Sequence, residues 1–272
     1  MNISILGCGW LGFPLAQHFI KENFTVNGST TTPEKLTLLK QSGIHPHYIL
    51  LPDSLDDPET DSFWRADTLF LNIPPGRNSK DAVNRFPSLI EKVVHRAAGN
   101  AEPWIIFASS TSVYSETGGL TKEKDINRGE PARSSGKALR KTETLLQNSS
   151  LDVTILRFGG LYGYDRHPVH YLSGKKNLDK ASKPVNLVHQ TDCIHIIREI
   201  LKKERKNEVY NVVSDGHPPR REFYKSAAKH FNLPPPSFKK SRVENYKIVS
   251  NEKLKKDLGY SFIYPNPMDH TP

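Results

Sequence analysis

The sequence of 272 residues predicts an α/β fold in which helices cover both faces of a doubly wound parallel sheet. Three observations predict this fold. Short apolar strand patterns alternate with helical patterns over the first 160 residues, a glycine-rich turn joins the first strand to the first helix, and one more helix and strand follow near residue 200. No internal repeat or low-complexity linker divides the chain.

Strands that are buried on both faces of a parallel sheet are short apolar runs, and such runs occur before residue 160 at 3–6, 24–27, 48–51, 68–73, 104–108 and 153–157. Helical periodicity separates most of them, at 11–20, 33–41, 86–97 and 133–147. A helix over 191–203 and a strand over 209–213 complete the alternation.

The composition changes after Gly163, where proline, lysine and histidine become more frequent. We expect a core over residues 1–165, completed by 186–213, and a small, partly irregular C-terminal lobe formed by 166–185 and 214–272. Ligands of such folds bind at the carboxyl edge of the sheet, where we expect this lobe to lie.

Composition excludes several classes of protein. No apolar run approaches the length of about 18 residues that a membrane span needs, and the start of the chain lacks the pattern of a signal peptide, so we expect a cytoplasmic location without membrane association. The two cysteines, Cys8 and Cys193, support no disulfide framework. The net charge of +9 is diffuse, and its lysines are interleaved with acidic residues, which is typical of solvated helix faces and loops. No nucleic-acid-binding motif accompanies the charge, so we expect no nucleic-acid partner, and a phosphate-bearing ligand explains part of the excess equally well.

The turn at residues 7–12, Gly-Cys-Gly-Trp-Leu-Gly, follows the first strand directly and leads into a helix. Gly7 permits the tight turn, Gly9 allows backbone to approach a pyrophosphate, and Gly12 allows close packing of the helix on the strand. Amide groups near Trp10 and Leu11 then point at the anion from the helix N-terminus. The spacing predicts dinucleotide binding on a Rossmann fold.

The end of the second strand predicts which dinucleotide binds. An acidic residue there would hold the ribose 2′-hydroxyl of NAD, but this chain has Ser29, Thr30 and Thr31, with Lys35 one turn into the next helix. These groups favour NADP over NAD, although a plain helix cap remains an alternative interpretation. Three further candidates for the cofactor groove, Pro74, Pro75 and Arg77, follow the fourth strand, where a capped surface loop is the alternative.

Four segments resemble the extended short-chain dehydrogenase/reductase superfamily, specifically the NAD-dependent epimerase/dehydratase-like proteins and their atypical members. They are Ser-Ser-Thr-Ser-Val-Tyr at 109–114, Leu-Arg-Phe-Gly-Gly-Leu-Tyr-Gly at 156–163, Asn-Leu-Val-His-Gln-Thr-Asp at 186–192, and the closing 249–260. The resemblance covers nearly the whole chain. It implies that Ser109 lies at the cofactor and that the substrate side includes Tyr114, Tyr162, Asn186 and His189.

In the family that this chain resembles, a Tyr-x-x-x-Lys pair transfers the proton and a serine orients the substrate oxygen. Ser110 matches that serine, but alignment on Pro131 and Glu143 places Ser135 at the tyrosine position and Leu139 at the lysine position. Ser110 and Ser135 are therefore the catalytic candidates.

Other residues of the same helix supply positive charge. Lys137 is a candidate for holding ribose or phosphate, whereas Arg140 and Lys141 are better explained as an exposed basic face. A literal Tyr-x-x-x-Lys occurs at 171–175, but Gly174 is expected to break the helix that would join the pair. His167 and His170 lack a third ligand nearby, so we expect no metal site.

Two functional hypotheses remain open at this point. The favoured one is an NAD(P)-dependent oxidoreductase, epimerase or dehydratase that acts on a small polar, sugar-type substrate through an atypical active site. The alternative is a non-catalytic redox sensor or regulatory protein that binds the dinucleotide. The missing tyrosine and lysine favour the sensor, whereas Ser110 and the substrate-side motifs favour the enzyme. No oligomeric state follows from the sequence.

Overall fold

The computed structural model describes residues 1–76, 81–239 and 245–269. Its strands are β1 Asn2–Leu6, β2 Thr25–Thr30, β3 His45–Tyr48, β4 Thr68–Leu71, β5 Trp104–Ser110, β6 Leu120–Thr121, β7 Val153–Phe158, β8 Gly160–Tyr162, β9 Leu187–His189, β10 Val209–Val212 and β11 Ile248–Val249. Its α-helices are α1 Gly12–Lys21, α2 Lys35–Gln41, α3 Asp61–Trp64, α4 Ala82–Ala98, α5 Ser134–Gln147, α6 Gln190–Lys202, α7 Arg220–His230 and α8 Glu252–Leu258.

The central sheet of the described residues has seven strands in the order β10, β7, β5, β4, β1, β2, β3. β1 pairs in parallel with β2 and with β4, β2 pairs in parallel with β3, and β4 pairs in parallel with β5. The order reverses between β1 and β4, and ligands of open α/β sheets bind beyond the carboxyl ends of the strands at such a reversal. The predicted fold class, a doubly wound parallel sheet of the NAD(P)-binding Rossmann type, is confirmed.

Burial explains why these segments become strands and helices. All four residues of β4 and all six of β7 are buried, as expected for strands covered on both faces. In α4, the buried residues Ala82, Phe86, Ile90, Val93 and Ala97 recur three or four positions apart, which forms one apolar face.

The predicted third strand, at 48–51, was wrong by three residues, since β3 covers His45–Tyr48. β3 lies at the edge of the sheet and pairs only with β2 within the described chain. Its residues are exposed or half-buried, so the strand has no apolar run of its own, and the apolar residues after Tyr48 gave the wrong position for it. The second strand was also predicted too short. It continues through Gly28 to Thr30. A Cβ at Gly28 would lie 2.7 Å from the Cys8 sulfur, so glycine at this position allows close packing and does not mark the end of the strand.

The chain divides into two compact units. Unit 1 comprises Met1–Val113, Arg133–Leu156 and Glu204–Val209; unit 2 comprises Tyr114–Ala132, Arg157–Lys203 and Tyr210–Pro272. Both segments of the predicted lobe, 166–185 and 214–272, fall within unit 2. Among the described residues, none of the helices combines the length and the hydrophobicity that a membrane span requires.

Candidate cofactor and substrate sites

The glycine-rich turn of unit 1, residues 7–12, has a distinct steric reason for each of two glycines. Gly7 has φ +105°, and a Cβ there would lie 2.8 Å from the Asn72 carbonyl oxygen. A Cβ at Gly12 would lie 2.3 Å from the Gly7 carbonyl oxygen, so α1 approaches the turn as closely as backbone allows. Both positions exclude any larger residue without displacement of backbone.

Gly9 differs from both, because a Cβ built on it meets no atom within 4 Å. The protein itself therefore does not require glycine at this position. Within residues 1–76 and 81–239, the amides of Gly9 and Leu11 form no hydrogen bond, whereas Phe13 N–H already donates to the Gly9 carbonyl at 2.9 Å. An open surface with unused amides at a helix N-terminus fits a pyrophosphate.

Neighbouring strands hold this turn in place. The Gly7 amide donates to Ser29 Oγ at 2.9 Å, and the Cys8 amide donates to the Ser29 carbonyl at 2.8 Å. On the other side, Asn72 Nδ2 donates to the Gly7 carbonyl at 3.0 Å. Ser29 and Asn72 thus fix the turn from β2 and from the end of β4. Sequence analysis missed Asn72, although its place after a buried strand was a usable signal.

The other predicted cofactor residues occupy different environments. Ser29 is buried with its hydroxyl committed to Gly7, and Thr30 accepts from the Thr32 amide at 3.1 Å. Exposed side chains are those of Thr31, Lys35, Pro74 and Lys137; Trp10 and Pro75 are half-buried, and Leu11 is buried. Arg77 lies outside the described residues.

The carboxyl end of β5 carries the two serines of the Ser-Ser-x-x-Val-Tyr segment. Ser109 is buried and donates to Glu143 Oε1 of α5 at 2.5 Å, so it fastens the helix to the sheet. Ser110 ends the strand half-buried and accepts from the Ser112 amide at 3.1 Å. Within the described chain no hydrogen bond links Ser110 to Ser135 or Lys137.

Helix α5 begins one residue before Ser135, which is half-buried. Leu139, at the position of the expected lysine, is buried in the core at 5% exposure. Arg140 donates to the Val113 carbonyl through Nε at 3.2 Å and through an η nitrogen at 2.7 Å, so it positions the chain after β5.

Unit 2 contains the four predicted substrate-side residues. Tyr114 is 2% exposed, accepts from Arg157 at 2.6 Å and donates to Asn211 Oδ1 at 2.7 Å. The guanidinium carbon of Arg157 also lies 5.0 Å from the Tyr114 ring centre. This buried polar network gives the Tyr114 hydroxyl one donor and one acceptor, so it holds unit 2 together whatever else it contacts.

The side chains of the Asn-x-x-His-x-x-Asp segment form hydrogen bonds with three different segments of unit 2. The Asn186 amide donates to the Lys247 carbonyl at 3.0 Å and accepts from the Val249 amide at 2.8 Å. His189 Nδ1 caps α6 by accepting from the Thr191 amide at 3.2 Å. Asp192 accepts from Tyr260 Oη and from the amides of 263 and 264 at 2.8 to 3.0 Å.

Aromatic rings surround His189, which is fully buried. Its ring centre lies 3.8 Å from that of Tyr264, 5.1 Å from that of Tyr162 and 5.3 Å from that of Tyr164. Burial, aided by the charge of Asp192, raises the pKa of the Tyr162 phenol well above its usual value. The Tyr162 phenol therefore stays protonated at neutral pH.

The literal Tyr-x-x-x-Lys at 171–175 is not helical. Tyr171 ends a 3₁₀ turn, Pro168–Tyr171, and Gly174 has φ +69°, so the expected break at Gly174 is confirmed. No group of three or more metal-ligating side chains occurs among the described residues.

The chain belongs to a known family. It is 33% identical over 271 residues to Protein YeeZ of Escherichia coli strain K12, which covers 98% of this chain and 97% of that protein. This similarity places the chain in the same family as YeeZ. No family model matches the sequence.

Solved structures show the same fold. A conserved protein from Silicibacter pomeroyi DSS superposes with a TM-score of 0.79 at 23% identity, covering 98% of this chain and 95% of that one. UDP-glucuronic acid 4-epimerase from Bacillus cereus, in complex with UDP-glucuronic acid and NAD, superposes with a TM-score of 0.78 at 19% identity, covering 99% and 96%. The predicted likeness to extended short-chain dehydrogenase/reductase proteins is confirmed in the fold.

Proposed function

We propose that this protein binds a nicotinamide dinucleotide with its pyrophosphate over Gly9, and that it uses the dinucleotide on a small polar substrate of the nucleotide-sugar type. The open surface at Gly9, between two glycines whose substitution is sterically blocked, carries the proposal. The Bacillus cereus epimerase, which has the same fold, is in complex with NAD and a UDP-sugar, and this supports both parts.

The proposed cofactor is NADP. No carboxylate occurs from Thr25 through Pro33, and Glu34 is the first acidic residue after the strand. The exposed side chains of Thr31 and Lys35 supply a hydroxyl and a positive charge for a 2′-phosphate. Ser29 and Thr30 act instead through the backbone contacts that keep the turn and the end of β2 in shape.

Calorimetric titrations of NADPH and NADH test the cofactor choice. We expect tighter binding of NADPH, and Lys35→Glu should weaken NADPH at least tenfold while it changes NADH by less than about threefold. Lys40→Glu is the matched control, since Lys40 is exposed in the last turn of the same helix. Equal affinities for the two dinucleotides in the unmodified protein would overturn the NADP assignment.

For catalysis we propose that Ser110 donates a hydrogen bond to the reacting oxygen of the substrate. When bound, the nicotinamide supplies the hydride chemistry. Ser135 has no neighbouring charge at the lysine position, since Leu139 is buried there, so a water molecule or a substrate group carries the proton. Ser110→Ala should lower turnover about a hundredfold without weakening the dinucleotide, the usual scale for one oriented donor.

A redox sensor is the second candidate, favoured by the burial of Leu139 in place of a cationic residue. A screen of nucleotide sugars with bound NADPH separates the two candidates. Turnover that depends on Ser110 supports the enzyme. Firm NADPH binding without turnover of any substrate in the screen supports the sensor.

A further inference from the structure

The net charge of the protein is confined to one unit. Unit 2 contains 23 of the 38 lysine and arginine residues but only 14 of the 29 acidic residues, so the whole excess of +9 belongs to it. Unit 1 is balanced. An excess of this size attracts anions toward unit 2 and raises their local concentration.

Part of this charge is gathered around Glu116, which is half-buried. One carboxylate oxygen pairs closely with Lys183 and the other lies 3.5 Å from Lys180. Burial alone would raise the pKa of Glu116, but the hydrogen bond and the charge of Lys183 lower it below its usual value. Glu116 is therefore ionised at neutral pH and both of its oxygens are engaged by lysines.

Lys247 is the third lysine near Glu116, and it is also half-buried. Its Nζ donates to the Tyr114 carbonyl at 2.8 Å and lies 6.0 Å from the Tyr114 ring centre. Within residues 81–239 and 245–269, no carboxylate lies within 4 Å of this ammonium. Together, Lys180, Lys183, Lys247 and Glu116 carry a formal charge of +2.

The backbone that carries Lys247 is held in place. Asn186 bonds the Lys247 carbonyl and the Val249 amide, and the Lys247 ammonium is itself tied to the Tyr114 carbonyl. The ammonium of Lys247 is thus held in position before a ligand binds, so the entropic cost of ordering this side chain on binding is small. Glu116 acts on this half-buried ammonium only from beyond ion-pair distance among the described residues, so an anion bound directly to it would stabilise its charge further.

We propose that Lys247 and Lys183 bind an oxyanion, either the carboxylate of an acidic sugar or a phosphate of the ligand. This oxyanion site rests on the proposed function in one respect, that the ligand is a small anionic molecule. Among the residues that the structure describes, the ammonium of Lys247 donates only to Tyr114, and its two other N–H groups suit two oxygens of one anion. This lysine is then a determinant of specificity for acidic over neutral ligands.

The proposal implies a dependence on pH. Burial is the main reason that the pKa of Lys247 is lowered from 10.5 to about 8. The negative charge of Glu116 raises this pKa, and the positive charge of Lys183 lowers it. The groups facing it are Glu116, Lys183 and Tyr114, whose phenol is bonded to Arg157. Anion binding needs the protonated amine, so affinity is full below pH 8 and falls by up to tenfold per pH unit above it.

Nitrogen-detected NMR of the lysine ammonium groups, on the full chain labelled at Nζ, tests the proposal without a known substrate. Inorganic phosphate and glucuronate are titrated against glucose and against chloride at equal ionic strength. We expect the Lys247 signal to saturate with one of the two oxyanions at a Kd on the order of 1–10 mM. Saturation by glucuronate assigns a carboxylate, and saturation by phosphate assigns a phosphate.

The matched control is Lys253, whose ammonium lies 4.9 Å from the Tyr210 ring centre in the same unit. Its signal should respond to the oxyanions no more than to chloride. Lys247→Met should weaken binding of the oxyanion at least tenfold. Lys247→Arg keeps the positive charge and should retain most of the affinity, so it tests the proposal even if Lys247→Met is less stable. A Lys247 signal that responds equally to oxyanion and chloride overturns the proposal, whether or not NADPH binds at Gly9.

Discussion

The two units of this protein are organised by different means. Unit 1 has balanced charge, and backbone geometry shapes its proposed site, since glycines at 7, 9 and 12 and the end of a strand determine where an anion fits. Unit 2 carries the net positive charge and is held by side chains that bond distant backbone, such as Asn186 to residues 61 and 63 positions away. The two proposed sites differ accordingly: the one in unit 1 depends on backbone geometry, and the one in unit 2 depends on charge.

The largest effect is expected where backbone lies closest in unit 1. Gly12→Val places a Cβ at 2.3 Å from the Gly7 carbonyl, so α1 and the turn must separate. We expect the free energy of unfolding to fall by about 3 kcal/mol or more. Urea denaturation followed by circular dichroism measures it. A loss below about 1 kcal/mol would mean that the close approach of α1 is not required.

A smaller effect is expected from a side-chain contact in unit 2. Asn186→Ala removes both hydrogen bonds to the strand β11 region and leaves a half-buried carbonyl and amide without their partner. The expected cost is about 2 kcal/mol of unfolding free energy, about 1 kcal/mol for each bond. Asn245→Ala serves as a control at an exposed position. Equal stability of the two variants would contradict the role given to Asn186.

The smallest effect is expected at Tyr114, where one hydroxyl joins Arg157 to Asn211. Tyr114→Phe keeps the ring and the contact with the guanidinium, and Arg157 keeps its bond to the Glu123 carbonyl at 2.8 Å. We expect a loss of about 1–2 kcal/mol. Thermal unfolding at matched protein concentrations measures the change, and a more stable variant would show that the buried network is a net cost.

Sequence patterns predicted unit 1 well because its structure depends on local periodicity and glycine spacing. The strand predicted at 104–108 and the turn predicted at 7–12 both follow from short stretches of residues. The edge strand β3 was misplaced because an exposed edge gives no apolar signal.

Unit 2 was harder to predict because its contacts are long-range. The pairing of Arg157 with Tyr114, the bonds of Asp192 to residues 260–264 and the group around Lys247 join segments far apart in sequence. Motif resemblance pointed to Asn186 and His189, but only the structure shows that their side chains bond backbone of unit 2.

Calorimetric titration of NADPH into the unmodified protein and Gly9→Val tests the central claim most directly. A side chain at Gly9 meets no protein atom within 4 Å, so the fold should be preserved and the melting temperature should change little. The account predicts that the valine fills the space of the pyrophosphate and weakens NADPH at least a hundredfold. Unchanged affinity in the folded variant would contradict dinucleotide binding at this turn.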